Sequence, residues 1–283
     1  MSDDGAYGLT IIAFVGSVFS PYYAWAGRAD PLDHCAVNVA LYGPGGNRWA
    51  MTERRRNAVE RASDHLAIGP SSLRWEQGAL SIALNEIGAP IPLPLCGAVR
   101  VEPTIVNREA YLLESAGRHY WRPIAPAARV EVAFEKPALS WRGHAYFDCN
   151  AGDEPLERAF SSWTWSRASI ERGAAILYDA ERRREPALSL ALRFDNRGAC
   201  EAFSPPPPAP LPKSGWRVAR ATRSEEARAR LLRSLEDTPF YARSLVETTL
   251  LGQRRAVMHE SLSLDRFANP IVRSMLPFRM PRL

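Results

Sequence analysis

The sequence is poor in lysine, in closely spaced cysteines and in long apolar runs, and each shortage closes off a class of function. Lys136 and Lys213 are the only lysines among 36 basic residues, so the net charge of +5 is almost wholly arginine. Those arginines are mixed with acids, as in Glu53-Arg54-Arg55-Arg56 and Glu225-Glu226-Ala227-Arg228. No continuous basic stripe interleaved with aromatics is present, which argues against a nucleic-acid partner. The four cysteines, Cys35, Cys96, Cys149 and Cys200, lie far apart and form no Cys-x-x-Cys pair. Zinc sites use closely spaced ligands, so no metal is expected. Scattered thiols in a chain of this length fit a reducing compartment. The longest apolar run, residues 9–19, has about half the length that a membrane-spanning helix needs. It follows Asp3 and Asp4 rather than a basic segment, unlike a signal peptide. A cytoplasmic protein, soluble or peripheral on a membrane, is the expectation. No Gly-x-Gly-x-x-Gly opens a βαβ unit, which disfavours a dinucleotide fold.

What the chain does have is β patterning. Apolar residues make up 46% of it, enough for a sizeable core. Short runs rich in Val, Ile, Leu, Tyr and Trp predict strands at 9–15, 35–42, 81–87, 129–134, 144–148, 174–178 and 188–194. Turn signals separate them: Gly43-Pro44-Gly45-Gly46, Asn150-Ala151-Gly152-Asp153 and Asp195-Asn196-Arg197-Gly198. Many short strands suggest antiparallel sandwiches or barrels. Residues 204–212 hold six prolines in nine positions and read as an extended, polyproline-like connector. A strand is expected at 215–221. A short helix is expected at 224–235, with Ser224 as N-cap, Glu225 and Glu226 in the first turn, and arginines later. Residues 271–283 mix Val272, Met275, Leu276, Phe278 and Met280 with Arg273, Arg279 and Arg282. Such a basic-flanked apolar face suits an anionic membrane, although Pro277 and Pro281 oppose a continuous helix.

The strand period brings two pairs of chemically useful residues onto common faces. His119-Tyr120-Trp121 puts His119 and Trp121 on one side of an extended segment, and Tyr146-Phe147-Asp148 does the same for Tyr146 and Asp148. If both faces line one cavity, it holds an acid, an imidazole and two aromatic rings. Taken by spacing alone, a Trp or Tyr on a strand is more often core, an Asp near glycine a turn former, and a single His structural.

Several long strings settle the choice among these. They are GLTIIAFVGSVFSPYY (8–23), DPLDHCAVNVALY (30–42), WAMTER (49–54), WRPIAP (121–126), LEDTPFYARS (235–244), HESLSLDRF (259–267) and MLPFRMPR (275–282). With them the chain resembles the carotenoid 1,2-hydratases, or hydroxyneurosporene synthases, of purple bacteria, almost end to end. The resemblance implies a mainly β chain of two lipocalin-like antiparallel β-barrel domains with a few short helices. We divide it at residues 1–125 and 126–283, with the Pro-rich segment inside the second. It also implies cofactor-free addition of water across the C1–C2 double bond of an acyclic carotenoid. The family's Tyr-x-Asp motif falls on Tyr146 and Asp148, and its His-x-Trp motif on His119 and Trp121. Members of the family usually begin with an additional aromatic-rich strand. Here Ser2-Asp3-Asp4-Gly5 follows Met1 directly, which predicts a missing edge strand or a start assigned too far downstream.

These residue types suit the chemistry. Carbon is a poor proton acceptor, so the acid must be neutral near pH 7, and burial beside hydrocarbon raises a carboxyl pKa. Asp148 is the expected acid. Trp121 and Tyr146 are expected to face the cation formed at C1. His119 is expected to take a proton from the attacking water or to orient Asp148. The expected partners are an acyclic carotenoid, water and, peripherally, a membrane surface. The alternative is a lipocalin-like isoprenoid carrier that has the cavity and does not use the acid.

Overall fold

The computed structural model describes all 283 residues. Strands take up 57% of the chain and helices 10%. The pairing is antiparallel throughout the main sheets, as the sequence predicts. Two compact units are present: residues 1–103, 128–145 and 273–283 in one, and residues 104–127 and 146–272 in the other.

In the first unit, β1 (Gly8–Val15), β2 (Cys35–Tyr42) and β3 (Arg48–Arg54) form a three-stranded sheet. Central β2 is buried at every position, as its nearly all-apolar run CAVNVALY demands. Its one strongly polar side chain, Asn38, donates to the Ala50 carbonyl at 3.0 Å. A larger sheet begins with β4 (Val59–Arg61), β5 (His65–Ile68), β6 (Ser71–Glu76), β7 (Ala79–Ile87) and β8 (Pro94–Ile105). The tiny β9 (Tyr111–Leu112) and the long β10 (His119–Lys136) and β11 (Leu139–Gly152) complete it, in the order β11-β10-β8-β7-β6-β5-β4 with β9 beside β10, although β9, the start of β10 and the end of β11 are counted in the second unit. Near the C-terminus, Met280 packs on Ala36 and Met51. Arg282 pairs with Asp33 and with fully buried Glu53, which His34 also meets at 2.8 Å.

The second unit is built on β12 (Phe160–Ile170), β13 (Gly173–Arg182), β14 (Leu188–Asp195) and β15 (Cys200–Ala202). A two-stranded ribbon, β16 (Pro208–Leu211) and β17 (Arg220–Arg223), follows, and then β18 (Arg230–Asp237), β19 (Tyr241–Leu250) and β20 (Gln253–Ser263). The seven-stranded sheet runs β15-β14-β13-β12-β20-β19-β18 as an open path, not a closed ring. Helices are short: α1 (Pro21–Trp25), α2 (Leu156–Ala159), α3 (Leu264–Phe267) and α4 (Pro270–Met275). The tail after α4 breaks into a single 3-10 turn, Leu276–Phe278, at Pro277.

Strand β10 departs from simple alternation. Odd positions His119, Trp121, Pro123 and Ala125 are buried, then even positions Pro126, Ala128, Val130, Val132 and Phe134. The phase slips by one residue at Ala125–Pro126. Two prolines in seven residues weaken the local ladder, as expected of a strand irregularity.

Four local expectations change, the first being that the strand expected at 215–221 begins only at Arg220, after a turn at 215–216. The Pro-rich segment contributes a strand: Pro208 and Pro210 alternate with Ala209 and Leu211, so the residues lacking N–H do not fall in succession, and the ribbon with β17 forms. The helix expected at 224–235 is a turn leading into β18. Ser224 Oγ accepts from the Thr249 N–H at 3.2 Å, and Glu225 accepts from the Gly252 N–H at 3.1 Å. The capping residues thus serve a turn, and Arg230 pairs across the ladder with Glu247. Finally, the turn expected at 150–153 continues as strand through Gly152.

One position tests how tightly the sheet is packed. A Cβ at Gly97 would lie 2.4 Å from the Ala133 carbonyl oxygen and 2.5 Å from Phe134 Cα. Backbone atoms do not yield as side chains do, so Gly97→Ala is expected to cost about 1–3 kcal/mol by denaturant unfolding.

Candidate active site

The register of the seven-stranded sheet fixes which side chains share a face. Trp163 stands opposite Ala180 and Leu262, Trp165 opposite Tyr178 and Glu260, and Arg167 opposite Ile176 and Met258. Directly opposed residues on antiparallel strands point the same way. One face therefore presents Trp163, Trp165, Arg167, Tyr178 and Glu260 together. Next to it on β19, Arg243 stands opposite Glu260.

The start of β10 and the end of β11 lie over that face. The Trp121 ring is 5.2 Å from Tyr178 and 5.6 Å from Tyr111, and the Tyr146 ring is 4.9 Å from Trp165. This brings three of the four expected residues into one hydrogen-bonded group. The Trp121 indole N–H donates to Asp148 Oδ2 at 2.9 Å and lies 3.1 Å from the Tyr146 hydroxyl. That hydroxyl donates to the same Oδ2 at 3.0 Å. Both donors converge on Oδ2 and neither reaches Oδ1.

Burial sets the charge state. Desolvation is the largest influence on Asp148 and pushes its carboxyl up to about 6, against the opposing pull of the Trp121 and Tyr146 hydrogen bonds. The charge of Glu260 and the side chain of Asn150 have smaller effects, the first raising and the second lowering it. The Tyr146 phenol is pushed well up for the same reason, burial first and the neighbouring carboxylate second. Asp148 and Tyr146 nevertheless keep some accessible surface. Arg167 shares this setting. Burial lowers its guanidinium to about 10, and its bonds go to the Pro126 carbonyl at 3.1 Å and Ser169 Oγ at 2.8 Å, with no carboxylate partner.

His119 is held apart from this group. Its Nε2 donates to the Glu154 carbonyl at 3.0 Å, its ring meets Phe160 edge-on at 5.2 Å, and its N–H is bound by Glu114. A carbonyl only accepts, so Nε2 carries a hydrogen. Nδ1 is buried without a hydrogen bond, 3.9 Å from Glu114 Oε1. The absent side chain of Gly152 makes room for the ring, since a Cβ there would lie 2.5 Å from His119 Cδ2. Trp121 is fully buried between Tyr111 and Tyr178, so it reaches the site through its N–H and not through an open ring face.

The sequence pattern did not single out Trp163, Trp165, Tyr178, Arg167 and Glu260. A signal existed: Trp163-Thr164-Trp165 on a strand puts two indoles on one face. On the opposite face of the sheet, His259 bonds Ser166 Oγ at 3.2 Å and Ser261 Oγ at 3.0 Å. Burial, helped by the charge of Arg220, pushes His259 down to about 3, so it is a neutral part of the scaffold. No group of three or more His, Cys, Asp or Glu side chains comes together as a metal site would require.

Comparisons with known proteins identify the family. A family model described as carotenoid hydratase CrtC matches residues 11–283. The acyclic carotenoid 1,2-hydratase of Thiocapsa roseopersicina is 58% identical across the whole chain, which covers 71% of that protein. The corresponding enzyme of Rubrivivax gelatinosus is 50% identical, with 71% of it covered. That of Cereibacter sphaeroides is 44% identical over 96% of this chain and 98% of its own. A crystal structure of an AttH from Nitrosomonas europaea shares the lipocalin-like fold, with a TM-score of 0.60 at 15% identity over 93% of this chain and 88% of that one. The chain therefore belongs to the carotenoid hydratase family, as a hydro-lyase that acts on a carotenoid and water.

Proposed function

We propose that the enzyme hydrates the C1–C2 double bond of ψ-end-group carotenoids such as neurosporene and lycopene, with Asp148 as the acid. The observation that carries the mechanism is the single buried carboxyl whose Oδ2 receives both the Trp121 N–H and the Tyr146 O–H. With Oδ2 engaged as an acceptor, the carboxyl hydrogen resides on Oδ1 and faces the olefin. The alkene π pair takes that proton at C2, and the positive charge forms at the more substituted C1. Water then bonds to C1, loses a proton and leaves a tertiary alcohol.

The aromatic face supports the cation. A desolvated cation over an indole or phenol gains about 1–2 kcal/mol. Because Trp121 is enclosed, this role passes to the half-buried rings of Tyr146 and Trp163. Trp121 instead orients the carboxyl. His119 is a positioning residue: its bond to the Glu154 carbonyl anchors the start of β10 two residues before Trp121.

Acyclic carotenoids reside in bilayers, so the enzyme must meet a membrane surface. No helix is long and apolar enough to cross one. The C-terminal segment offers peripheral contact, with Met275 39%, Phe278 76% and Leu283 70% exposed beside basic Arg279. Cosedimentation with anionic lipid vesicles is expected for the native chain. Phe278→Ser combined with Leu283→Ser is expected to reduce the bound fraction several-fold without altering the far-ultraviolet circular dichroism spectrum. An unchanged bound fraction removes this segment from membrane contact.

Two activity measurements test the acid. Asp148→Asn is expected to lose at least about 10²-fold in hydration rate while still binding carotenoid, judged by the absorption shift of the bound polyene. Retained activity rules out the assignment. The active form is the protonated one and its pKa is raised to about 6. Activity is therefore expected to be highest below that pH and to fall about tenfold per unit above it. Tyr146→Phe removes a bond that favours the ionised form, so the falling limb is expected to move to higher pH.

A further inference from the structure

Capture of a tertiary cation by water creates an oxonium ion, and its extra proton needs a base within hydrogen-bond reach. His119 makes no bond toward Asp148; its ring is held by the Glu154 carbonyl and Phe160, with Nδ1 buried beside Glu114. Another group on the site's sheet face is better placed. Glu260 stands directly across from Trp165, the indole on which the Tyr146 ring rests at 4.9 Å. Its side chain is 25% exposed, and its partner Arg243 is 2% exposed. Arg243 donates to Glu260 through Nε at 3.0 Å and Nη2 at 2.8 Å, and both bonds fall on Oε1. Oε2 is left uncommitted. Nη1 of the same guanidinium donates to Glu236 at 2.7 Å, which fixes the clamp from its far side.

Burying an arginine with two carboxylates is costly, and a close-packed apolar cluster would serve stability as well or better. On this face the pair is flanked by Met258, Leu262 and Leu245, with Arg167 and Tyr241 close by. Resting on the reading of Asp148 as the acid, we propose that Glu260 is the base that removes a proton from the water attacking C1, with Arg243 as its positioning residue. The steps balance. The Asp148 Oδ1–H bond breaks and a C2–H bond forms, water oxygen bonds to C1, and the oxonium O–H bond breaks as Glu260 Oε2 gains its proton. One proton then sits on Glu260 while Asp148 is ionised, and its return through water restores both groups. An oxonium ion is so strong an acid that a carboxylate already paired with arginine is basic enough. The negative charge of Glu260 also favours the neutral form of Asp148.

The test uses the full-length chain, with lycopene delivered in detergent micelles. Glu260→Gln keeps an oxygen acceptor for Arg243 but removes both basicity and the charge that raises Asp148, so its activity is compared with native below about pH 6 as well as at neutral pH. It is expected to lower kcat by at least about 10²-fold with KM and the bound-polyene spectrum unchanged, whereas a kcat within about threefold of native overturns the proposal. Glu260→Ala opens a space, and formate or acetate is expected to restore a concentration-dependent part of the rate. A folded, carotenoid-binding Glu260→Ala that no carboxylate rescues also overturns it, because a purely structural role is not rescued by a soluble base. Asp148→Asn separates the two levels. If Asp148→Asn is inactive and Glu260→Gln is not, only the base is misassigned. If Asp148→Asn is active, the acid is.

Discussion

Everything at the site depends on a carboxyl group that the protein prevents from ionising fully. Two opposing influences act on Asp148: withdrawal from water, which disfavours the anion, and donation by an indole and a phenol, which favours it. Withdrawal wins, leaving the group near 6. An acid that weak holds its proton long enough to meet an olefin, and it is still strong enough to part with it. In the proposed mechanism, a hydrocarbon end group beside Asp148 displaces the remaining water and strengthens the same bias.

The seven-stranded sheet divides its labour by face. Toward Asp148 it offers aromatic rings and the clamped Glu260. On its other face lie hydrogen-bonded polar groups and apolar packing. His259, Ser166, Thr222 and Ser261 form a buried chain there, and Arg220 donates to Ser244 at 3.0 Å. Leu177, Val246 and Val257 supply packing nearby. A fully bonded buried network has few alternative arrangements. It holds the strands that position Trp163, Trp165 and Glu260.

Much of this was legible in the residues themselves. The strand at 35–42 could be read to the residue, because so short a nearly all-apolar run between turn signals suits a buried strand and is too brief for a core helix. Tyr146 and Asp148 could be paired by the period of two alone, and the family resemblance joined them to Trp121. Other features depend on long-range contacts. Ser224, Glu225 and Glu226 look like a helix start, but their partners Thr249 and Gly252 lie more than twenty positions away. The proline run looked too rich in missing N–H groups for a sheet, yet alternate prolines leave the intervening donors free to pair. Glu260 was present in the string HESLSLDRF, but nothing local distinguishes a carboxylate clamped within a site from a solvated one. Its register with Trp165 does.

The slip in β10 limits how such an enzyme can diversify. Moving a strand by one position turns every side chain to the reverse side. A single inserted or deleted residue between His119 and Ala125 would swing Trp121 away from Asp148, and one between Ala128 and Phe134 would push Val130 and Val132 out of their packing. Both segments are thus locked in length. Adaptation to longer, shorter or more oxidised polyenes must therefore proceed by exchanging side chains along a backbone of constant count.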